Sequence, residues 1–528
     1  MNQLFYGDNL EIMQKYIADE SVDLCYIDPP FNSKRTYNQI YNNIGKEDTA
    51  QAQAFIDTWS WDIAAENGFN NIIENKYGLM TRQSVNLILM LEKVIGKGSM
   101  LAYLVSMTNR IAEIYRILKP TGSFYLHCDP TMSHYLKLVL DALFCSRGGR
   151  FLNEITWCYR RWTAVSNRFQ RMHDIVFYYS KTSKHKFNKQ LFDTTETGKK
   201  KIGRGYQTNT VKDGTNRISQ LIVYDKEKAK KMIESNKYDR IVYRDEQSGV
   251  VLPDWWNIPI INSQAKERLG YPTQKPESLL ERIILASTNE GDVVLDAYCG
   301  CGTSVAVAEK LNRKWIGIDI TYNSVSLILK RLEDTFGKDF TNTADEKTEL
   351  KNNVTLKGVP QDMESAIELA NRKDDRLRKE FEKWAVLTYS NNRAIINEKK
   401  GGDDGIDGIA YISELDSDNN LTKKEVFFSV KSSKNLNPSV VRDLYGTVTR
   451  DGAVAGILIT LYPMQNLEKE SKKYGTYIHK LSGQELPKIQ IVTIEEMMQG
   501  ARIKLPMASD VLKSAERKYK TKQLTMEE

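Results

Sequence analysis

The chain has 528 residues, 41% hydrophobic and 27% charged, an ordinary composition long enough for two or three domains. No apolar run approaches the ~18–20 residues that span a bilayer, and Met1-Asn2-Gln3-Leu4-Phe5 lacks the basic and apolar regions of a signal peptide, so a cytoplasmic protein without a membrane partner is expected. The net charge of +7 is mild and the six cysteines are scattered apart from Cys299 and Cys301, which with five histidines argues against a zinc site.

In chain order, Leu4–Asn9 and Val22–Ile27 read as strands with a short amphipathic helix between them. Residues 32–98 read as a polar, irregular insertion above the sheet edge, a candidate dimer surface or DNA clamp. Leu101–Leu118 has helical periodicity and stops at Lys119-Pro120-Thr121-Gly122. Strand Ser123–His127, helix Ser133–Phe144 and strands Asn153–Tyr159 and Asp174–Tyr179 follow. Between residues 150 and 217 basic side chains exceed acidic ones by about ten, interleaved with Trp157, Tyr159, Trp162, Phe169 and Tyr206, as suits a nucleic-acid backbone. Residues 180–260 lose the alternating rhythm, with β segments such as Gln220–Tyr224. It resumes with a helix from Pro276 to Thr288, strand Val293–Asp296, helix Val305–Leu311, strand Trp315–Asp319 and helix Ser324–Phe336. Strands alternating with helices predict an α/β, doubly wound sheet. Residues 337–360 read as a polar linker, and a charged helix near Met363–Trp384 opens a second region.

Two constellations carry chemistry. Asp28-Pro29-Pro30-Phe31 follows a strand that reads as buried. Its prolines fix a rigid loop at the sheet's carboxyl edge, where open α/β sheets bind ligands. One fixed carboxylate, exposed carbonyls and a flat ring suit a planar base bearing an amino group. The second is the strand–loop–helix passage Val293 to Thr303, with Gly300 and Gly302 admitting close backbone approach and Asp319 ending the next strand 23 positions beyond Asp296. The third glycine of a dinucleotide fingerprint is missing, which favours a nucleoside ligand without phosphates, such as S-adenosylmethionine.

Together these motifs resemble the DNA amino-methyltransferases. Asp28-Pro29-Pro30-Phe31 is similar to their catalytic Asp-Pro-Pro-Tyr/Phe motif, and Asp296-Ala297-Tyr298-Cys299-Gly300-Cys301-Gly302-Thr303 to their cofactor motif, with Ala297 and Tyr298 departing mildly. Tyr271-Pro272-Thr273-Gln274-Lys275-Pro276 resembles a further segment in which Tyr replaces His, and Gly7-Asp8-Asn9-Leu10 places Asp8 near the cofactor's adenine. The catalytic motif precedes the cofactor motif, the β-group order. The resemblance implies a Rossmann-like S-adenosylmethionine-dependent DNA methyltransferase domain over 1–336, with target recognition at about 150–270. It implies Asp28, Pro29, Pro30 and Phe31 as catalytic, and Asp8, Asp296, Tyr298, Gly300, Gly302, Thr303, Asp319 and Lys275 as cofactor-binding. Aspartate first in the motif favours adenine N6 over cytosine N4, acting on a base flipped from double-stranded DNA.

Further on, Asp407 in a glycine-rich turn, then Ser429 and Lys431 on one face of strand Glu425–Lys431, resemble the core of Mrr-type restriction endonucleases. This implies an α/β restriction-endonuclease-like domain over 361–505, followed by a charged tail, 506–528. Serine stands at the middle acid position, so Mg²⁺ binding would fall to Asp407 with a relocated acid such as Glu425 or Glu382. The pairing points to site-specific adenine methylation in restriction–modification or phage defence. Cytosine-N4 methylation, a DNA-cleaving effector whose methyltransferase fold serves recognition, a homodimer and a separate restriction partner stay open as alternatives.

Overall fold

The computed structural model describes residues 2–30, 35–40, 51–57, 59–161, 167, 169–191, 203–214, 216–243, 251–262, 264–271, 273–337, 354–360, 362–371, 375–397, 405–415 and 420–506. The chain divides into two compact units, one of Met1–Lys186 with Asn257–Glu528, the other Phe187–Trp256. In chain order the first unit opens with β1 (Asn2–Tyr6), α1 (Asn9–Tyr16), β2 (Val22–Ile27), β3 (Arg35–Ile40), β4 (Gln51–Asp57), α2 (Ile63–Ile73), α3 (Arg82–Ile95), α4 (Ser99–Ile117), β5 (Leu118–Cys128), α5 (Ser133–Leu143), β6 (Arg150–Cys158) and β7 (His173–Ser180). Next come β8 (Tyr206–Asp213), β9 (Asn216–Val223), α6 (Lys226–Glu234), β10 (Arg240–Tyr243) and the short β11 (Trp255–Asn257). Then follow α7 (Glu277–Ser287), β12 (Val293–Asp296), α8 (Thr303–Lys310), β13 (Lys314–Asp319), α9 (Tyr322–Phe336), β14 (Val354–Lys357), α10 (Met363–Ala370) and α11 (Asp375–Tyr389). The last sheet draws on β15 (Ala394–Ile396), β16 (Gly408–Leu415), β17 (Leu421–Lys431), α12 (Ser439–Asp451), β18 (Ala455–Thr460) and, beyond the hairpin β19 (Thr476–Ile478) and β20 (Glu485–Pro487), β21 (Ile489–Thr493).

The large sheet contains the order β6-β7-β5-β2-β12-β13-β1-β14. From β5 to β14 every pairing is parallel, and β7 runs antiparallel between β5 and β6. All six residues of β2 are buried. A strand covered on both faces needs an unbroken apolar run, which Val22–Ile27 supplies apart from Asp23. Asp23 is held by Lys119 at 2.6 Å and Lys186 at 3.1 Å, and accepts from the Val293 amide. Burial pushes its carboxyl up, but these partners outweigh that and hold it below the usual carboxylate range.

The insertion expected to be irregular is instead helical over α2 and α3, and Phe69, Ile72, Ile88 and Leu91 join the main core. Both helices carry start signals: Asp62 accepts from the Ala65 amide, and Thr81 with Ser84 forms a capping box. The expected linker 337–360 contains β14, a parallel edge strand beside β1. The single charged helix expected near Met363–Trp384 is two helices, α10 and α11. Trp157 does not belong to a basic surface; it is buried and its indole donates to the Ile258 carbonyl at 2.8 Å. Trp162 and residues 507–528 lie outside the described residues. No described helix is long and apolar enough to cross a membrane. In the second unit β8, β9 and β10 form a sheet of their own, with Leu221, Val223 and Ala229 at its core.

The second sheet of the first unit runs β15-β16-β17-β18-β21, antiparallel to β17 and parallel after it. Helix α11 joins the two sheets. Its buried Glu380 accepts from the Tyr322 amide at 2.9 Å, satisfying the first amide of α9 from outside that helix. Tyr322 also meets the Thr388 hydroxyl at 3.1 Å, and Ser326 donates to Asn392. Glu380→Ala leaves that amide without its acceptor and is expected to lower unfolding free energy by roughly 1–3 kcal/mol, read by chemical denaturation, with Glu380→Gln, which keeps a carbonyl acceptor, recovering most of the loss.

Candidate active site

The parallel registers bring four strand ends to one edge. Asp296 lies opposite Tyr26 and Gly317, and Tyr6 opposite Asp319. Asp28 follows β2, Asp296 ends β12, Asp319 ends β13 and Asp8 follows β1, so the two sequence constellations share the sheet's carboxyl edge.

Asp28 is largely buried. Its Oδ2 accepts from Lys275 Nζ, while Oδ1 is buried and accepts no hydrogen bond among the described residues. The nearest ring nitrogen, His127 Nδ1, stands 3.9 Å from Oδ1. Pro29 is buried and Pro30 half-buried; Phe31 lies outside the described residues. Lys275, expected on the cofactor side, therefore sits on the acceptor-side carboxylate.

In the glycine loop, Gly300 has φ +51° and Gly302 φ +71°. A Cβ on Gly302 would stand 2.8 Å from Ile328, and one on Gly300 3.1 Å from the Tyr271 ring. Both positions demand glycine, for the left-handed backbone and for space. Tyr271 thus packs on the loop while Lys275, four residues on, reaches Asp28, so one segment touches both motifs. Asp319 Oδ2 accepts from the Gly300 amide at 2.8 Å and Oδ1 from the Thr321 amide at 2.9 Å. Asp296 accepts from the Tyr298 amide at 2.9 Å and from the Ser304 hydroxyl. Tyr298 lays its hydroxyl toward Met107 sulfur at 3.7 Å. Thr303 is buried, its hydroxyl 3.0 Å from Arg331, which also pairs with Glu277 at 3.1 Å. Asp8 caps α1 through the Leu10 amide and pairs with Arg110 at 2.7 Å; Arg110 also holds Asn9, which donates to the Ala297 carbonyl at 2.8 Å.

Ser304, Arg331, Arg110 and His127 were not legible as site neighbours. Arg110 lies 102 positions from Asp8, and only the packing of α4 under α1 brings them together.

In the second sheet, Asp407 is tied to β17: its amide donates to the Phe428 carbonyl at 2.7 Å and its Oδ2 accepts from the Val430 amide at 2.6 Å. Ser429 is buried, and Lys431 Nζ lies 3.8 Å from the position a Gly405 Cβ would take. Burial pushes Glu382 up to about 7, Asp407 adds to this, and Lys431 opposes it. Glu382 on α11, Asp407 and Lys431 therefore feel one another, whereas Glu425 lies six residues, about 20 Å, back along the strand from Lys431. Among the described residues no three His, Cys, Asp or Glu side chains are grouped to hold a metal; residues 401–404 lie outside them.

Burial pushes Asp296 up to about 7, with Asp28 and Asp319 adding to it, and Asp319 up to about 6. A carboxyl raised in the folded state binds more protons there than when unfolded, so its contribution falls as pH rises from the unfolded value near 4 to the folded value. The ligand-free protein is expected to be more stable at pH 5.5 than at pH 8 by roughly 1–3 kcal/mol, with Asp296→Asn flattening the difference in unfolding titrations.

Comparison with known proteins agrees with this arrangement. Residues 22–330, more than half of the chain, match the N6/N4 family model described as DNA methylase, and residues 378–496 match one described as restriction endonuclease. Type II methyltransferase M.HpaI of Haemophilus parainfluenzae is 30% identical over 226 residues, covering 43% of this chain and 58% of that protein. Type II methyltransferase M.BamHI of Bacillus amyloliquefaciens is 28% identical over 337 residues, covering 63% of this chain and 57% of that protein. DNA adenine methyltransferase YhdJ of Escherichia coli K12 is 26% identical over 333 residues, covering 62% and 82%. The chain spans less than two thirds of the length of M.HpaI and of M.BamHI. With the Asp28 motif and the glycine loop on one sheet edge and the family model spanning both, this chain belongs to the N6/N4 DNA methylase family and carries a restriction-endonuclease-like region after it.

Proposed function

We propose that this chain methylates adenine N6 at specific sites in double-stranded DNA, with S-adenosylmethionine as donor. The observation that carries this reading is Asp28 Oδ1, a buried acceptor without a hydrogen bond among the described residues, at the same edge as the glycine loop. The aspartate that opens the motif and the name of the relative YhdJ favour adenine.

An exocyclic amino nitrogen is a poor nucleophile because its lone pair is delocalised into the ring. Asp28 Oδ1 and the Pro29 carbonyl accept its two hydrogens, which favours a pyramidal nitrogen with an available lone pair. Phe31, outside the described residues, is the motif's ring for stacking on the base. S-adenosylmethionine, when bound, supplies an electrophilic sulfonium methyl. Gly300 and Gly302 would leave bare backbone for its close approach, Asp319 would offer an acceptor for ribose hydroxyls, and Asp8, Asp296, Tyr298 and Thr303 would line the rest of its site. Lys275 fixes Asp28 through the opposite oxygen. Catalysis then comes from alignment and fixed electrostatics.

Labelled donor incubated with DNA, followed by digestion to nucleosides, is expected to give N6-methyladenine; N4-methylcytosine would instead select the other amino base. Asp28→Ala is expected to slow transfer by roughly 100-fold or more while leaving donor affinity unchanged, and normal turnover by that variant would remove Asp28 from the mechanism.

A second reading, DNA cutting by the later region, is favoured by the shared electrostatics of Glu382, Asp407 and Lys431. Mg²⁺ commonly takes one or two carboxylates together with substrate phosphate, and Asp407 and Glu382 would supply two, leaving Ser429 uncharged. On this reading the pair of activities serves restriction–modification or phage defence. Mg²⁺-dependent nicking that Lys431→Ala abolishes, with methylation intact, is the expected result; nicking that survives the change would place the cutting elsewhere.

A further inference from the structure

Behind Asp28 runs a buried polar chain across three strands. Tyr26 on β2, His127 on β5 and Asp174 on β7 meet because β5 pairs with both neighbours. His127 is fully buried. Its Nδ1 lies 3.0 Å from the Tyr26 hydroxyl and its Nε2 3.4 Å from Asp174 Oδ2, while Asp174 Oδ1 accepts from the Tyr159 hydroxyl at 3.2 Å. Trp157 stands edge-on to the imidazole at 5.5 Å.

The roles in this chain follow from what each group is able to do. Burial pushes the Asp174 carboxyl up, but hydrogen bonds from His127 and Tyr159 and the charge of Lys275 hold it below the usual carboxylate range, so Asp174 stays an anion that only accepts. Nε2 must then carry the hydrogen. Burial, with Asp28 adding to it, pushes the Tyr26 phenol far up, so Tyr26 stays an O–H donor and the Nδ1 lone pair receives it. A ring fixed this way presents no N–H toward Asp28. At 3.9 Å, Nδ1 is beyond hydrogen-bond reach of Oδ1, but an Nδ1–H there would need only a small shift to fill that acceptor.

We infer that Asp174 and Tyr26 hold His127 in the Nε2–H tautomer, and that His127 so held is a positioning residue that keeps Asp28 Oδ1 open for the amino hydrogen of the target base. This rests on the methyl-transfer reading and adds to it a specific tautomer on which turnover depends.

Asp174→Asn is nearly isosteric and places an amide donor opposite Nε2, which reverses the tautomer and aims Nδ1–H at Tyr26 and Asp28. The expected result is a kcat lowered roughly 10- to 100-fold, with the KM for DNA and the Kd for S-adenosylmethionine unchanged. Nitrogen-15 NMR of the histidine-labelled wild-type chain, with the His127 signal assigned by its loss in His127→Gln, is expected to report Nε2–H, and this needs no variant at Asp174 to fold. Nδ1–H in the wild type, or wild-type kcat in Asp174→Asn, overturns the inference. A wild-type chain that methylates no DNA overturns the methyl-transfer reading instead, so the two failures are told apart.

Discussion

The structure turns on the crowding of carboxylates at one sheet edge. Parallel strands lie about 4.8 Å apart, and β2, β12 and β13 each deliver an aspartate at or just past the strand end. Like charges that close, away from water, do not all ionise without partners. Asp28 takes Lys275, and Asp8 takes Arg110. Asp296 and Asp319, held by hydroxyls and amides rather than cations, are pushed up to about 7 and about 6. The protonation of this edge belongs to the group of acids and not to any single one.

That constraint accounts for the residues that surround the motifs. Tyr271 and Lys275 reach the glycine loop and Asp28 from one short segment, so the placement of each motif depends on the other. Arg331 ties Thr303 and the Cys301 carbonyl to Glu277 at the start of α7, fixing the loop from below. Such supports cost conformational entropy, and they are used here where a loop of irregular backbone has to keep one shape.

Much of the fold was legible because the parallel strands announce themselves. The run Val22–Ile27 and the strand Val293–Asp296 agree with the structure to the residue, since a strand buried on both faces leaves little choice of composition. Asp28 and Asp319 were legible because they sit at or just past a strand end, and Gly300 because it lies in the glycine-rich loop after one, positions marked by local sequence. Helices α2 and α3 were missed although Asp62 and Thr81 signal their starts; the many Asn and Gln residues around them masked a periodicity that buries only one narrow face. His127 and Asp174 had no local mark at all. A lone histidine in an apolar strand reads as core, and its partners lie 101 and 47 positions away.

Helix α11 has a consequence for how the chain is put together. Glu380 faces the start of α9, and Glu382, two positions along, answers to Asp407. Residues two apart on a helix point to opposite sides. Helix α11 therefore serves both the methylase sheet and the later sheet. A graft that exchanges the later half for another has to bring Asp375–Tyr389 into register with Tyr322, or leave one half holding an unfinished end.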